Sequence, residues 1–453
     1  MYMRRYIVDK KVNIFSRYLY LLLTMMITVM LTGCGNRGGS AVPGMSASLE
    51  AGTAPELETD AVEDSDAGTL HGLEAGVSSD KEAIAAQSPG AAGNSGADAA
   101  QDPEAASPQF AETGAAQDRD MSDPQVPDQY AYDFILSFAG DINFDENWDN
   151  MMYLETTENG IHDCISPELI QAMRDADIMC INNEFTFSTR GAPLKNKVYT
   201  FKAHPSKAGI LKDIGVDIVS LANNHVYDYG EESLVDTMAT LKEAGIKYVG
   251  AGHNLAEAME PVYFEIQGKT VAYVAASRAE KYRMTPQATE DRPGILRCYD
   301  TELFVQTIKK ARENADFVIA YVHWGTEFTH KLDEVQLETG KLYLDSGADA
   351  VIGAHPHRLQ GIEFYKGKPI IYSLGNFWFN DETVDTMLLN IRFYGDEKEG
   401  SMEIGIVPAI QADLRTTIVT DQSEKERIFS FLEDISVNAE ISETGIVTEH
   451  SFE

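Results

Sequence analysis

Residues 353–379 read GAHPHRLQGIEFYKGKPIIYSLGNFWF. An apolar strand over 349–352 runs into this stretch and stops at a loop that carries His355 and His357, one residue apart. The carboxyl end of a buried strand is where an α/β sheet exposes its chemistry. The runs 361–365 and 369–374 that follow are separated by Lys366-Gly367-Lys368, which predicts a β-hairpin.

The same arrangement recurs upstream. Phe134–Ala139 ends in Gly140-Asp141, Ile178–Ile181 in Asn182-Asn183-Glu184, Ile218–Leu221 in Asn223-Asn224-His225, and Phe317–Val322 in His323-Trp324-Gly325. One histidine at a strand end is commonly a hydrogen-bonded core residue. Several strand ends that all deliver Asp, Asn, Glu or His are better explained by one shared metal site. Helical patterns over 167–176, 206–213, 231–244, 301–314 and 332–346 alternate with strands at 134–139, 177–181, 216–221, 246–250, 316–322 and 349–352. Such alternation predicts βαβ units with parallel strands. A hairpin of 261–266 with 270–276 turns at Gln267-Gly268-Lys269, strands at 386–393 and 402–414 follow Asn376, and an amphipathic helix spans 424–435. The β-rich blocks 261–276 and 361–414 predict a second sheet facing the first. The predicted fold class is therefore α/β, a two-sheet sandwich flanked by helices, filling residues 131–453.

In order and wording, GD, NNE, ANNHVYDYG, HWGTEF and the 353–379 stretch resemble the CapA family of poly-γ-glutamate capsule proteins, a branch similar to the calcineurin-like metallophosphoesterases. The resemblance covers roughly residues 131–415. It implies the calcineurin-like metallophosphatase fold and two divalent metal ions, with Asp141, Glu184, Asn224, His323, His355 and His357 as ligands. It implies His225 as a general acid beside the leaving group. In the superfamily pattern a histidine follows the first aspartate by two residues, and here that position is Asn143. This leaves Asp141, Glu184 and His357 as the expected protein ligands of the first ion. Mixed carboxylate and imidazole ligation suits Mn, Zn or Fe. Candidate substrate contacts are Asn143, Asn183, Trp324, Ser373 and Asn376. An aromatic beside a buried strand end such as Trp324 is usually core, and Ser373 and Asn376 read equally as loop-closing hydrogen-bond partners. Asp228 either orients His225 or caps the helix at 231, and His204 reads as a loop residue. The segment GDINFDENW lacks an arginine that the family often carries after the aspartate; if that arginine meets an anionic substrate, one contact is lost here.

The amino terminus has Arg4, Arg5, Lys10, Lys11 and Arg17 ahead of an apolar run, Tyr18–Leu31, that meets Leu31-Thr32-Gly33-Cys34. A basic region, a short apolar core and small residues before a cysteine make a secretory signal. The cysteine resembles that of a bacterial lipobox, with Cys34 as the lipidation site. The competing reading, an uncleaved anchor, has only about 14 apolar residues where a spanning helix needs ~20. Either reading places the body outside the cytoplasm. Residues 35–130 are rich in Ala, Gly, Ser, Pro, Asp and Glu, with Arg37, Lys81 and Arg119 as their only basic residues of the Lys/Arg type. Such a segment cannot bury enough apolar surface to offset chain entropy and is expected to be disordered. As a flexible coil of ~95 residues it would span about 50–60 Å, a tether between membrane and domain.

The formal net charge is −36, of which the signal region carries +4 and the linker −15, leaving the folded part near −25. This excludes non-specific nucleic-acid binding, which needs a basic surface. It also means that an anionic polymer must be met by a local metal site or basic patch. Beyond Cys34, the cysteines Cys164, Cys180 and Cys298 read as buried thiols, with one disulfide as the alternative. Two function classes stay open. One is a lipid-anchored, metal-dependent hydrolase of a phosphoester or of an amide in a capsule or cell-wall polymer. The other is a non-catalytic protein that binds or guides such a polymer during export. Both imply a polymer and membrane-bound capsule-synthesis proteins as partners.

Overall fold

The computed structural model describes residues 130–280 and 284–450. The signal region, Cys34 and all but the last residue of the 35–130 linker lie outside the described residues.

The first sheet is built on parallel strands β1 (Tyr132–Ile142), β2 (Ile178–Asn183), β3 (Ile218–Ser220) and β4 (Lys247–Val249). Every residue of β2 is buried, as a parallel strand covered on both faces requires. The second sheet contains β5 (Val262–Ile266), β6 (Lys269–Ser277), β7 (Phe317–His323), β8 (Ala350–Ala354), β9 (Leu359–Tyr365) and β10 (Lys368–Leu374). Its spatial order is β9-β10-β8-β7-β6-β5. The inner four strands are parallel, and the edge strands β5 and β9 pair antiparallel as the two expected hairpins.

After β10 the chain leaves the second sheet at Gly375, whose φ of 67° favours glycine. It then lays Asn376–Trp378 parallel to β1, with Asn376 opposite Asp141. Strands β11 (Val384–Gly395) and β12 (Gly400–Ala412) continue from there in the first sheet, β11 antiparallel to β1 with Phe134 opposite Phe393. This corrects the sequence expectation that all of 361–414 belongs to the second sheet. Alternating polarity shows that 386–393 is a strand but not which sheet edge it joins. Residues 402–414 likewise end as a strand at Ala412, and Arg415–Ile418 folds back on it.

Helices α1 (Pro167–Arg174) and α2 (Glu231–Glu243) cover the outer face of the first sheet, where Leu169, Met173, Leu234 and Met238 meet Met179, Ile181 and Val219. Helices α3 (Glu302–Arg312) and α4 (Glu334–Asp345) cover the second sheet, with Phe304, Ile308 and Tyr343 against Val274, Ala320 and Val351. Between the sheets, Phe134, Leu136, Phe138, Ile178 and Cys180 pack on Val271, Tyr273, Ile319, Tyr321 and Ile352. The every-second-residue spacing in each strand is what gives each sheet two apolar faces. Burying one such aromatic or aliphatic side chain contributes ~1.5–3 kcal/mol. The layers thus run helix, sheet, sheet, helix. Helix α5 (Gln422–Ile435) buries Ile428 and Leu432 in the inter-sheet core. Cys164, Cys180 and Cys298 are buried free thiols, and burial pushes all three above the usual thiol range, which makes them poor nucleophiles.

Candidate metal centre

The carboxyl ends of β1, β2, β3, β7, β8 and β10 converge on one buried cluster. Asp141 reaches it through a register shift in β1. The pairing with β2 runs Leu136 to Ile178 and Phe138 to Cys180, then slips so that Asp141 faces Asn182. Without that bulge, strict alternation would point Asp141 outward with Ala139. Close approach also needs Gly140, since a Cβ there would lie 1.8 Å from the Gly375 carbonyl oxygen. Asp141 N–H donates to that same carbonyl at 2.9 Å. His355 and His357 are held at φ 99° and 55°, left-handed conformations that cost of order 1–3 kcal/mol each for such residues. The surrounding loop over-determines them.

Glu184 is the hub. Its Oε1 lies 3.7 Å from His357 Nε2, 3.8 Å from His323 Nε2 and 4.0 Å from His225 Nε2. Two ligand-type groups share it, Asp141/Glu184/His357 and Glu184/His323/His355, each with donor atoms within 4.8 Å of one another. Asn224 Oδ1 completes the second group, 2.7 Å from His323 Nε2. The Asn182 amide ties the groups together, donating to Asp141 Oδ1 at 2.7 Å and Glu184 Oε2 at 2.9 Å. Asn376 Oδ1 sits 2.8 Å from His357 Nδ1 and orients that ring.

Burial and the neighbouring Asp141 push the Glu184 carboxyl well above its usual range. Burial alone would raise Asp141 as well, but the hydrogen bond and charge of His357 hold it low. His357 is raised in turn, because Asp141 overcomes the desolvation of the ring. Burial pushes His323 well below its ordinary value, and His355 down to about 3, with nearby His357 adding to both shifts. These imidazoles are therefore neutral and ready to ligate at ordinary pH. Glu184 Oε1 and His355 Nδ1 are buried without a hydrogen-bond partner, and Asp141 Oδ2 has only His357 Nδ1, at 3.2 Å. Orphaned polar atoms are costly, and carboxylate oxygens facing neutral imidazoles form the donor set of a divalent metal. The residues fit such an ion.

Beside the cluster, His225 Nδ1 meets Asp228 Oδ2 at 2.7 Å, which leaves Nε2 facing Glu184. Burial lowers the His225 pKa, with Asp228 opposing. The Phe201 ring packs on the imidazole at 4.3 Å. Asp228 also accepts from Phe201 N–H and pairs with Lys197 at 2.8 Å. Its orienting role is thus the one realised, because the residue preceding α2 is Gly230, not Asp228.

The structure brings Asp141, Glu184, Asn224, His225, His323, His355, His357 and Asn376 together, and it places the remaining candidates elsewhere. Asn143 Oδ1 accepts from Asp145 N–H at 2.8 Å, closing the turn after β1. Asn183 points to the opposite face of β2 from Asn182 and donates to Phe185 O. Trp324, offered as a groove residue or as core, is fully buried between Tyr343 and Tyr372 in the α3/α4 core, its Nε1 on Tyr372 O. An indole beside a doubly covered strand finds its lowest free energy there. Ser373 Oγ accepts from Gly375 N–H at 3.1 Å and closes the loop. His204 caps a short helical turn at Ser206, exposed. Sequence reading missed Asn182, Lys197 and Phe201. Period-two alternation from Cys180 would have found Asn182. Lys197 and Phe201 come from a loop with no periodic signal.

The family model described as "Bacterial capsule synthesis protein PGA_cap" matches residues 135–381, more than half of the 453-residue chain. A capsule biosynthesis protein CapA from Bacillus anthracis is 34% identical over 226 residues, 48% of this chain and 54% of that protein. A PGA biosynthesis protein CapA from Bacillus subtilis (strain 168) is 29% identical over 276 residues, 60% of this chain and 70% of that protein. The chain thus spans little more than half the length of the first of these relatives. Among solved structures, a putative 5'-nucleotidase from Staphylococcus aureus aligns with a TM-score of 0.39 at 15% identity, covering 67% of this chain and 58% of that one. A likeness that distant carries no functional argument.

Proposed function

We propose, on the premise that the chain belongs to the bacterial capsule synthesis protein PGA_cap family, that it is an extracytoplasmic metal-dependent hydrolase of a capsule or cell-wall polymer of the poly-γ-glutamate kind. The observation that carries this reading is Glu184. One unpartnered, buried carboxylate oxygen faces three imidazole nitrogens at 3.7, 3.8 and 4.0 Å. Glu184 would there contribute to holding both ions, with His225 alongside as the proton donor. Asp141, Glu184 and His357 would hold one divalent ion, and Glu184, Asn224, His323 and His355 the other, of Mn, Zn or Fe. When bound, such ions supply Lewis-acid polarisation of the scissile group and an acidified nucleophilic water. The chain's own residues do the rest. Asn182 fixes both carboxylates, Asn376 fixes His357, and Asp228 holds His225 so that Nε2 can hand a proton to the departing oxygen or nitrogen. The acidic body repels a polyanion on average, so attraction must come from the centre itself.

Purified protein assayed on phosphodiester and γ-glutamyl substrates is expected to turn over at least one of the two classes. Chelator should abolish the activity and divalent metal restore it. Metal-dependent polymer binding without turnover on any substrate would instead favour the second reading, a non-catalytic binding or export accessory protein. The Oδ1 of Asn143, which accepts from the Asp145 backbone N–H where the superfamily pattern has an imidazole ligand, is the observation that speaks for that alternative.

The proposal extends to location. Cys34, lipidated, would hold the protein on the outer side of the membrane through the 35–130 tether, near membrane-bound capsule-synthesis proteins. Cys34→Ala is expected to release the protein from the membrane fraction or block its processing. Normal processing with unchanged membrane retention would contradict the anchor.

A further inference from the structure

The loop after β7 carries a carboxylate that the family motif does not by itself explain. Glu327 Oε1 lies 4.0 Å from His355 Nε2, and Glu327, His355 and His357 have donor atoms within 4.8 Å of one another. The 4.0 Å contact is longer than a hydrogen bond, so no direct bond to His355 accounts for the placement. Two donors that bind one ion at ~2.0–2.2 Å lie at most about 4.3 Å apart, and the spacing falls inside that limit.

Both neighbours of Glu327 are pinned. Thr326 Oγ1 donates to Asp333 Oδ2 at 3.0 Å. Phe328 N–H donates to Pro356 O at 2.8 Å, between the two histidines. Phe328 is held at φ 59°, which is unusual for a bulky residue. Its ring stacks on His357 at 5.8 Å, with the Arg358 guanidinium 5.4 Å from its centroid. The loop is thus locked onto the histidine loop with Glu327 aimed at its solvent side. It is the Nε2 of His355 that faces Glu327.

We propose that Glu327 is a ligand of the same metal centre, closing it from the solvent side and supplying a donor that Asn143 does not. The proposal rests on the metal reading above and adds a residue to it. Three carboxylates, Asp141, Glu184 and Glu327, would then face two dications, nearly balancing charge in a region of low dielectric. Because the Glu327 side chain is 44% exposed, its removal should leave the fold intact.

The test is calorimetric titration of MnCl2 into chelator-stripped full-length wild type, Glu327→Gln, Glu327→Ala, Glu327→Asp and the surface control Glu338→Gln. Glu327→Gln and Glu327→Ala should weaken at least one Mn2+ equivalent by ~10–100-fold. Glu327→Asp should recover part of the loss, and metal-free melting temperatures should match wild type. Wild-type Mn2+ affinity and stoichiometry in both Glu327→Gln and Glu327→Ala would overturn the role of Glu327 while leaving the centre standing. A wild type that takes up none of Mn2+, Zn2+ and Fe2+ when each is titrated in turn would overturn both.

Discussion

His225→Ala is expected to keep most of the bound metal and lose turnover by ~10²-fold or more. The geometry separates these two effects. His225 lies 4.0 Å from Glu184 Oε1 but is anchored through Nδ1 to Asp228, outside both Glu184-centred ligand groups. Removing its ring leaves Asp141, Glu184, Asn224, His323, His355 and His357 in place. It removes the one imidazole free to give a proton to a leaving group. His323→Ala should act differently, lowering metal content and turnover together, since His323 contacts both Asn224 and Glu184. Metal analysis beside kinetics on the same preparations distinguishes the patterns. If His225→Ala has the mild effect of an unrelated surface substitution, the protein binds polymer and does not cleave it.

Glu184→Gln should have the largest effect on the centre, because Glu184 is common to both groups. A neutral amide in that place removes the shared anion, and affinity for both ions should fall on the order of 10²-fold or more. The same substitution has an opposite effect on the metal-stripped fold. Burial and Asp141 raise the folded-state pKa of Glu184 above its unfolded value. Its contribution to stability is therefore fully present below the ordinary carboxylate range and lost as pH rises through the folded pKa. His357, raised by Asp141 against desolvation, adds a slope of the same sign at higher pH. The depressed His323, His355, His225 and Asp141 give both metal-stripped proteins a slope of the opposite sign, so the Glu184 contribution shows in the difference: metal-stripped Glu184→Gln should gain stability relative to metal-stripped wild type as pH rises from acid toward neutral. Denaturant midpoints measured across that range check the sign. Added metal should restore wild type by mass action and the variant far less.

Much of this arrangement is legible in the chain, for definite reasons. Ile178–Ile181 is apolar and the strand through Asn183 is buried on both faces, so its role as an inner parallel strand follows from composition. The histidines at 355 and 357 follow directly on such a strand, so their place at a sheet's carboxyl edge follows too. Asp141 is different. Its direction depends on the slip between Phe138 and Asp141, which no two-residue period reveals. The destination of 384–412 is hidden because a hairpin's polarity pattern is the same on either sheet. Lys197 lies in a loop without periodicity, yet its side chain is 4% exposed and pairs with Asp228 and Glu280. Its amine and the Thr285 hydroxyl both donate to the Asn224 carbonyl. Contacts between loops distant in sequence, set only after the two sheets close, are what the chain leaves unsaid.

The metal content of wild type and Glu184→Gln, both purified without chelator and confirmed folded, measures most directly whether these strand ends build a metal centre. The expected result is about two equivalents of Mn, Zn or Fe per wild-type chain and a small fraction of that in Glu184→Gln. A folded wild-type protein that stays metal-free in metal-replete buffer would contradict it.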